Sequence, residues 1–177
     1  VFAMSRMFDF INNNNPFTLL IENKNIVLRK IENNMTINID NLNITALEVP
    51  HRNELSETVC YKINTKYKSV VYMPDIDTFN SFESDIISIV KNNDVVFLDG
   101  TFYSRDEIKN RDVSKIPHPE IVNTMSLLSH LNIKHRKKIY FIHLNHTNPI
   151  IDQTSEEHLN VLNSGFQIAE EKQIINM

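Results

Sequence analysis

Short runs of apolar β-forming residues end abruptly in polar residues at several places along the chain. Residues 69–73 combine two β-branched side chains with Tyr72 and Met73, and Pro74 ends the run, so the pattern predicts a buried strand that delivers Asp75 to its carboxyl end. Three other runs have the same form, and they end at Asp99, at His143 with His146, and at His51. Polar side chains fixed at strand ends can converge on one functional site.

The remaining pattern predicts a mixed α and β protein. Helices are predicted from Ser5 as the N-cap, over 78–91, after Pro119 over 120–131, and over 155–164 up to Gly165. Short strands are predicted over 17–23, 25–31, 35–40, 43–49 and 58–63, and a terminal hairpin over 166–177. A strand, a helix and a strand in succession imply parallel neighbouring strands after residue 68. The fold class predicted is α+β or layered α/β, as a single domain over residues 1–177.

Composition narrows the possible functions. The net charge of −4 and the single basic run, Lys134 to Lys138, do not favour a nucleic-acid partner, although an acidic nuclease with a local basic groove stays open. Two glycines exclude a glycine-rich phosphate loop and a dinucleotide fingerprint. No apolar run of transmembrane length and no signal peptide is visible, so a cytoplasmic protein is expected. Cys60 lies in an apolar strand and is interpreted as a core residue.

The polar residues at the strand ends have the chemistry of a metal site. Imidazoles and carboxylates carried on rigid elements are ligands for transition metals. Asp75 has two oxygens with which to bridge two metals, and His143 stands in an apolar strand directly before a polar turn. His118, between two prolines, and His51 are candidates for ligand, general acid or substrate contact. Asp residues at such positions also cap and turn, and a buried histidine is often a satisfied core residue.

Five segments together resemble a known family. They are residues 48–63, 68–79, 94–108, 116–128 and 138–150, and they look like the carboxyl-terminal half of the metallo-β-lactamase superfamily. The branch they resemble is that of pyrroloquinoline quinone biosynthesis protein B-like proteins, and residues 1–31 are similar to it as well. The segments around Asp99 and His143, DGTFY and HLNHTNP, are the most specific to this branch.

The resemblance implies an αββα sandwich with a metal-binding cleft at one edge of its sheets. It matches Asp75 to the metal-bridging Asp and His143 to the last metal-ligand His, and it implies zinc, with iron as the alternative. Asp99 is implied either to support the metal ligands or to transfer a proton, and His51 and His118 are implied to be catalytic. The family's H-x-H-x-D-H motif is absent, so this chain is expected to be a carboxyl-terminal fragment that binds metal weakly on its own.

Three functions stay open at this point. The leading expectation is a metal-dependent hydrolase or an iron-dependent oxygenase acting on a small-molecule or peptide-derived substrate. The alternatives are a non-catalytic accessory or carrier protein of the same fold and a phosphodiesterase or ribonuclease Z-like nuclease. For the site we expect His51, Asp75 and His143 to converge and residues 102–118 to border the cleft.

Overall fold

The computed structural model describes residues 1–79, 83–107 and 116–176, with only the backbone of residues 83 and 84. Strands are β1 Phe2–Ala3, β2 Arg29–Lys30, β3 Thr36–Ile39, β4 Leu42–Glu48, β5 Val59–Asn64, β6 Ser69–Met73, β7 Val95–Asp99, β8 Ile139–Ile142 and β9 Gln167–Ile168. Helices are α1 Ser5–Asn13, α2 Phe17–Glu22, α3 Glu83–Asn92, α4 Ile121–Leu127, α5 Ile133–Arg136 and α6 Glu156–Asn163.

Within the described residues, seven strands form one sheet in the order β3-β4-β5-β6-β7-β8-β9. The strands from β3 to β6 are antiparallel neighbours, whereas β6, β7, β8 and β9 run parallel to one another. The parallel arrangement of β6 and β7 confirms the strand, helix, strand expectation. Strands β1 and β2 form a separate parallel pair.

The core lies on one face of this sheet. Alternate residues of the strands, among them Val71, Leu98 and Phe141, are fully buried there. Helical residues such as Ile86, Ile121 and Val161 belong to the same cluster. A fully buried side chain of this size contributes roughly 1.5–3 kcal/mol through the hydrophobic effect, so this layer fixes the positions of the central strands.

The opposite face carries a row of aromatic side chains. Tyr61 pairs with Tyr72, Tyr72 with Phe97, and Phe97 with Tyr140 across β5 to β8. The rings of Tyr72 and Phe97 are 6.2 Å apart and those of Phe97 and Tyr140 are 5.6 Å apart. Tyr61 and Tyr72 are exposed.

Several local predictions were wrong. The segment 17–23 was predicted as a strand, but Phe17–Glu22 form helix α2, for which Pro16 is the N-cap residue. The N-cap of α1 is Met4 and not Ser5, which is the first residue of the helix and makes no capping hydrogen bond. The predicted terminal hairpin is instead the short strand β9, parallel to β8, followed by turn and coil up to residue 176.

The predicted helix over 78–91 is observed as α3 from Glu83, and residues 80–82 lie outside the described residues. The same holds for residues 108–115 of the segment expected to border the cleft. In the described parts of the chain, none of the helices is both long and apolar enough to span a bilayer.

Candidate metal centre

Sheet topology brings the polar strand ends together. Strands β6, β7 and β8 are parallel neighbours, so their carboxyl ends lie at the same edge of the sheet. Strand β4 has the same direction as β6 because both are antiparallel to β5. Asp75, Asp99, His143 and His51 follow or end these four strands and therefore meet at this edge.

Four residues form a compact cluster there. Asp75, Asp99, His118 and His143 each offer one ligand atom, and these atoms all lie within 4.8 Å of one another. Such an arrangement of carboxylates and imidazoles is suited to holding a divalent cation. Asp99 and His118, expected from the sequence as catalytic residues, lie inside this cluster together with the two expected ligands.

Asp99 is the fully buried centre of a hydrogen-bond network. Its Oδ1 accepts from the backbone N–H of Thr101 at 2.9 Å and from the Thr101 hydroxyl at 2.7 Å. Its Oδ2 accepts from the backbone N–H of Ile76 at 3.2 Å and lies 2.7 Å from Nδ1 of His118. A carboxylate offers about four acceptor positions, so Asp99 is satisfied by the protein alone.

His118 reaches the cluster from the segment before α4. An isolated bridge between Phe102 and Glu120 holds this segment beside the end of β7. Burial lowers the pKa of His118, but the hydrogen bond to Asp99 and the charges of Asp99, Asp75 and Asp77 outweigh it and raise the pKa above its ordinary value. The hydrogen bond and the three carboxylates therefore shift the imidazole of His118 toward its protonated form.

His51, in the loop after β4, also contacts Asp75. Its Nδ1 is 2.8 Å from Oδ1 of Asp77, and its Nε2 is 3.2 Å from Oδ1 of Asp75. The loop that carries it is tied to the site because the N–H of Asp77 donates to the carbonyl of Pro50 at 2.8 Å. A carboxylate on one ring nitrogen fixes the tautomer and leaves the other nitrogen to face a cation.

Asp75 carries an unsatisfied atom. Its Oδ1 is buried and, among the described residues, receives no hydrogen bond of acceptable geometry, although it lies 3.2 Å from Nε2 of His51 and 3.6 Å from Nδ1 of His118. A buried carboxylate oxygen without a donor costs free energy unless a cation or a proton compensates it. The donor set and this atom therefore fit a divalent metal.

Two backbone features set the distance between Asp99 and His143. Gly100 allows β7 and β8 to approach closely, and its N–H donates to the carbonyl of Ile142 at 2.9 Å. His143 has φ 61°, in the left-handed region that few residues other than glycine adopt. The strained turn moves the His143 side chain out of the alternating pattern of β8, so that its Nδ1 lies 2.9 Å from the Thr101 hydroxyl.

A cavity of about 310 Å³ adjoins the cluster. His118 and Asp77 belong to both the cavity wall and the metal-site region, while Arg105 and Asn123 add polar groups. Its apolar wall consists of Phe79, Ile116, Pro117, Pro119 and Leu127. This volume lies at the lower end of the range for small-molecule sites.

The structure brings His51, Asp75 and His143 together, as expected, and Asp99 and His118 lie beside them. His146 is exposed and lies outside the cluster. Thr101 and Asp77 were not among the site residues predicted from the sequence. Both follow a predicted site Asp by two residues, which is the spacing at which Asp and Thr side chains stabilise a turn after a strand.

These features define a class of protein, and comparison with known families identifies it. A family model described as the beta-lactamase superfamily domain matches residues 1–144. The chain belongs to this superfamily and has the metallo-β-lactamase fold.

Within the superfamily the chain is similar to proteins of cofactor biosynthesis. It is 28% identical over 129 residues to coenzyme PQQ synthesis protein B of Acinetobacter baumannii (strain ACICU), a match that covers 68% of this chain and 42% of the relative. The crystal structure of zinc-bound PqqB from Methylobacterium extorquens superposes with a TM-score of 0.77 at 18% identity, over 99% of this chain and 64% of that one. A diphosphatase of the PhnP family shares the fold at a TM-score of 0.57 and 18% identity, over 96% of this chain and 54% of that one. The chain thus spans less than two thirds of each of these proteins.

Proposed function

We propose that this chain carries the proton-transfer groups and part of the metal site of a metal-dependent hydrolase that acts on a small-molecule or peptide-derived ester or phosphodiester. The observation that carries the proposal is the buried, unsatisfied Oδ1 of Asp75, which faces the imidazoles of His51 and His118. An oxygen in this state is compensated by a cation. The similarity to PqqB, whose crystal structure is described as zinc-bound, supports the same reading.

Asp75 and His143 are the proposed metal ligands, and Nε2 of His51 is next to Asp75 at 3.2 Å. Zinc is the proposed metal and iron the alternative, because imidazole and carboxylate suit both. A bound divalent cation supplies a Lewis acid that polarises the scissile group and makes water more acidic. Asp77 supports this site by holding the ring of His51 at 2.8 Å.

Asp99 and His118 are proposed to handle the proton of the leaving group. The N–H at Nδ1 of His118 donates to Oδ2 of Asp99 at 2.7 Å, so the proton to be transferred resides on Nε2. The negative charge of buried Asp99 stabilises the imidazolium before transfer. The ring also borders the cavity, which supports this role toward a small molecule bound there.

The cavity supports a small substrate rather than a polymer. Its volume of about 310 Å³ lies at the lower end of the range for small-molecule sites. A net charge of −4 disfavours a nucleic-acid substrate, since binding to phosphate backbones depends on clustered Lys and Arg.

A non-catalytic accessory or carrier protein is the second candidate. One observation favours it: the chain contains no H-x-H-x-D-H sequence, and Asp75 and His143 alone are few ligands for a catalytic metal. A carrier would use the same cavity and lack turnover.

The deciding experiment is a titration of the protein with Zn²⁺ in competition with a chromophoric chelator, for the wild type, Asp75→Asn and Asp9→Asn. Asp75→Asn keeps the size of the side chain and removes its charge, and Asp9 is an exposed residue of α1 that serves as the matched control. We expect the Zn²⁺ affinity to fall at least about tenfold in Asp75→Asn only. Hydrolysis of a generic phosphodiester in the presence of Zn²⁺ should be lost with it. Equal affinities in all three proteins would refute the metal site, and metal binding without hydrolysis would favour the carrier.

A further inference from the structure

Thr101 lies at the centre of the site. It is buried, two residues after the end of β7, and its hydroxyl contacts three members of the cluster. The Oγ1 atom lies 2.7 Å from Oδ1 of Asp99, 2.9 Å from Nδ1 of His143 and 3.2 Å from Nδ1 of His118. A hydroxyl has one proton and two lone pairs, so only one of these contacts can be a donation.

Counting protons determines the direction of each hydrogen bond. As a carboxylate Asp99 can only accept, so the Thr101 hydroxyl donates its single proton to Asp99. The hydroxyl oxygen is then an acceptor toward His143. The imidazole of His143 must therefore carry its proton on Nδ1, which leaves Nε2 unprotonated. The proton on Nδ1 of His118 is directed to Asp99 at the shorter distance of 2.7 Å.

We propose that Thr101 is a positioning residue that holds His143 in the Nδ1-protonated tautomer and so presents Nε2 as its metal-binding atom. The inference rests on the proposed metal site for its purpose, but the tautomer is a property of the metal-free protein. It also assigns Asp99 a positioning role, because all of its acceptor positions are used by Thr101, Ile76 and His118.

The backbone of His143 makes this hydrogen bond necessary. The residue has φ 61° and is exposed, so packing alone does not fix the ring. A hydrogen bond on the second nitrogen is the usual device that orients a metal-binding histidine. Thr101 provides it through the same two-residue turn that satisfies Asp99.

The test uses NMR of isotope-labelled imidazole nitrogens in the metal-free protein, at a pH where His143 is neutral. We expect the Nδ1-protonated tautomer at His143 in the wild type and in Thr101→Ser, which keeps the hydroxyl. In Thr101→Val, which has a similar shape without the hydroxyl, we expect a shift toward the Nε2-protonated form. His51 is the internal control because its Nδ1 is held by Asp77 and should not change.

Thr124→Val is the matched control for the loss of a buried hydroxyl. Thr124 is 1% exposed, and its Oγ1 has no hydrogen-bond partner among the described residues. Zn²⁺ affinity should fall about 10- to 100-fold in Thr101→Val and remain unchanged in Thr124→Val and Thr101→Ser.

Two results would overturn the inference: an Nε2-protonated His143 in the wild type, or an unchanged His143 tautomer in Thr101→Val. The wild-type spectrum decides the first point even if Thr101→Val does not fold. The expected tautomers combined with an absence of Zn²⁺ binding would refute the proposed function and leave the role of Thr101 toward His143 established.

Discussion

Replacing Gly100 by Ala should damage both the sheet and the site. A Cβ at position 100 would lie 2.9 Å from Cβ of Phe141 and 3.1 Å from the carbonyl oxygen of Ile142. Both atoms belong to β8 and cannot be moved by rotating a side chain. The third contact, Cδ2 of Leu144 at 3.1 Å, is the flexible end of a side chain and can move away. The strand itself must therefore shift away from β7.

The cost follows from these distances. Carbon atoms pack at about 3.5–4.0 Å, so the strands must separate by roughly 0.6 Å or more at this point. Overpacking of this kind lowers the free energy of unfolding by about 1–3 kcal/mol. Alanine offsets about 0.4–1 kcal/mol of this loss because it restricts the conformations of the unfolded chain. At the middle of each range, the net loss is about 1.3 kcal/mol. With a urea dependence of about 2 kcal/mol per molar, the unfolding midpoint falls by roughly 0.5–1 M.

The assay is urea unfolding followed by circular dichroism, together with Zn²⁺ titration. Gly165→Ala is the comparison variant. Gly165 has φ 87°, so alanine is strained there, and its Cβ would meet the flexible end of the Ile133 side chain and none of the site residues. Both variants should lose stability, but only Gly100→Ala should lower Zn²⁺ affinity, since it separates Asp99 and Thr101 from His143. A midpoint for Gly100→Ala within about 0.2 M of the wild type would show that the close approach of β7 and β8 is not a constraint.

Two further predictions concern single side chains. Burial raises the pKa of the Cys60 thiol from 9.0 to about 12, so the folded state holds this proton more tightly than the unfolded state does. The contribution of the protonated thiol to the free energy of unfolding is therefore complete below pH 9.0 and is lost as the pH rises toward 12. Urea unfolding at about pH 8 and about pH 10 measures this loss. The free energy of unfolding should decrease between these two pH values by about 1.4 kcal/mol less in Cys60→Ala than in the wild type. An equal decrease in the two proteins would contradict the burial of the thiol. Asp77→Asn should reduce Zn²⁺ affinity about tenfold in the chelator titration because it removes the charge that supports His51. Affinity equal to that of Asp9→Asn would show that the charge of Asp77 does not support the metal site.

The ends of the central strands could be predicted because each buried strand has a strong local signal. Residues 69–73 and 95–99 are short, apolar and rich in β-branched side chains, and they are followed directly by Pro74 and Gly100. Parallel pairing then follows from the intervening helix. The edge of the sheet and the residues that meet there are consequences of these two steps.

Other elements could not be predicted because their signals are ambiguous. Residues 17–22 form an apolar run short enough for either a strand or a helix, and periodicity does not distinguish the two. Strand β9 has two residues, and its pairing with β8 depends on where α6 ends. Non-local contacts of this kind leave no pattern in the chain.

The site was predictable as a set of chemical groups and not as a network. His118 could be named as a candidate, but its hydrogen bond to Asp99 spans 19 residues and depends on the bridge between Phe102 and Glu120. Nothing in the sequence marks Thr101 as the residue that contacts three members of the site, because a hydroxyl in a turn after an Asp is common. Its importance depends on His143 approaching from 42 residues away.

At position 143 the left-handed backbone makes stability and metal binding favour different residues. Selection for stability alone would favour replacement of His143 by Gly or Asn, which adopt φ 61° at a lower cost in conformational free energy. A chain improved for holding a cation would retain the histidine and its strain. Laboratory evolution of this protein for heat resistance alone would therefore be expected to abandon the metal site first at this residue.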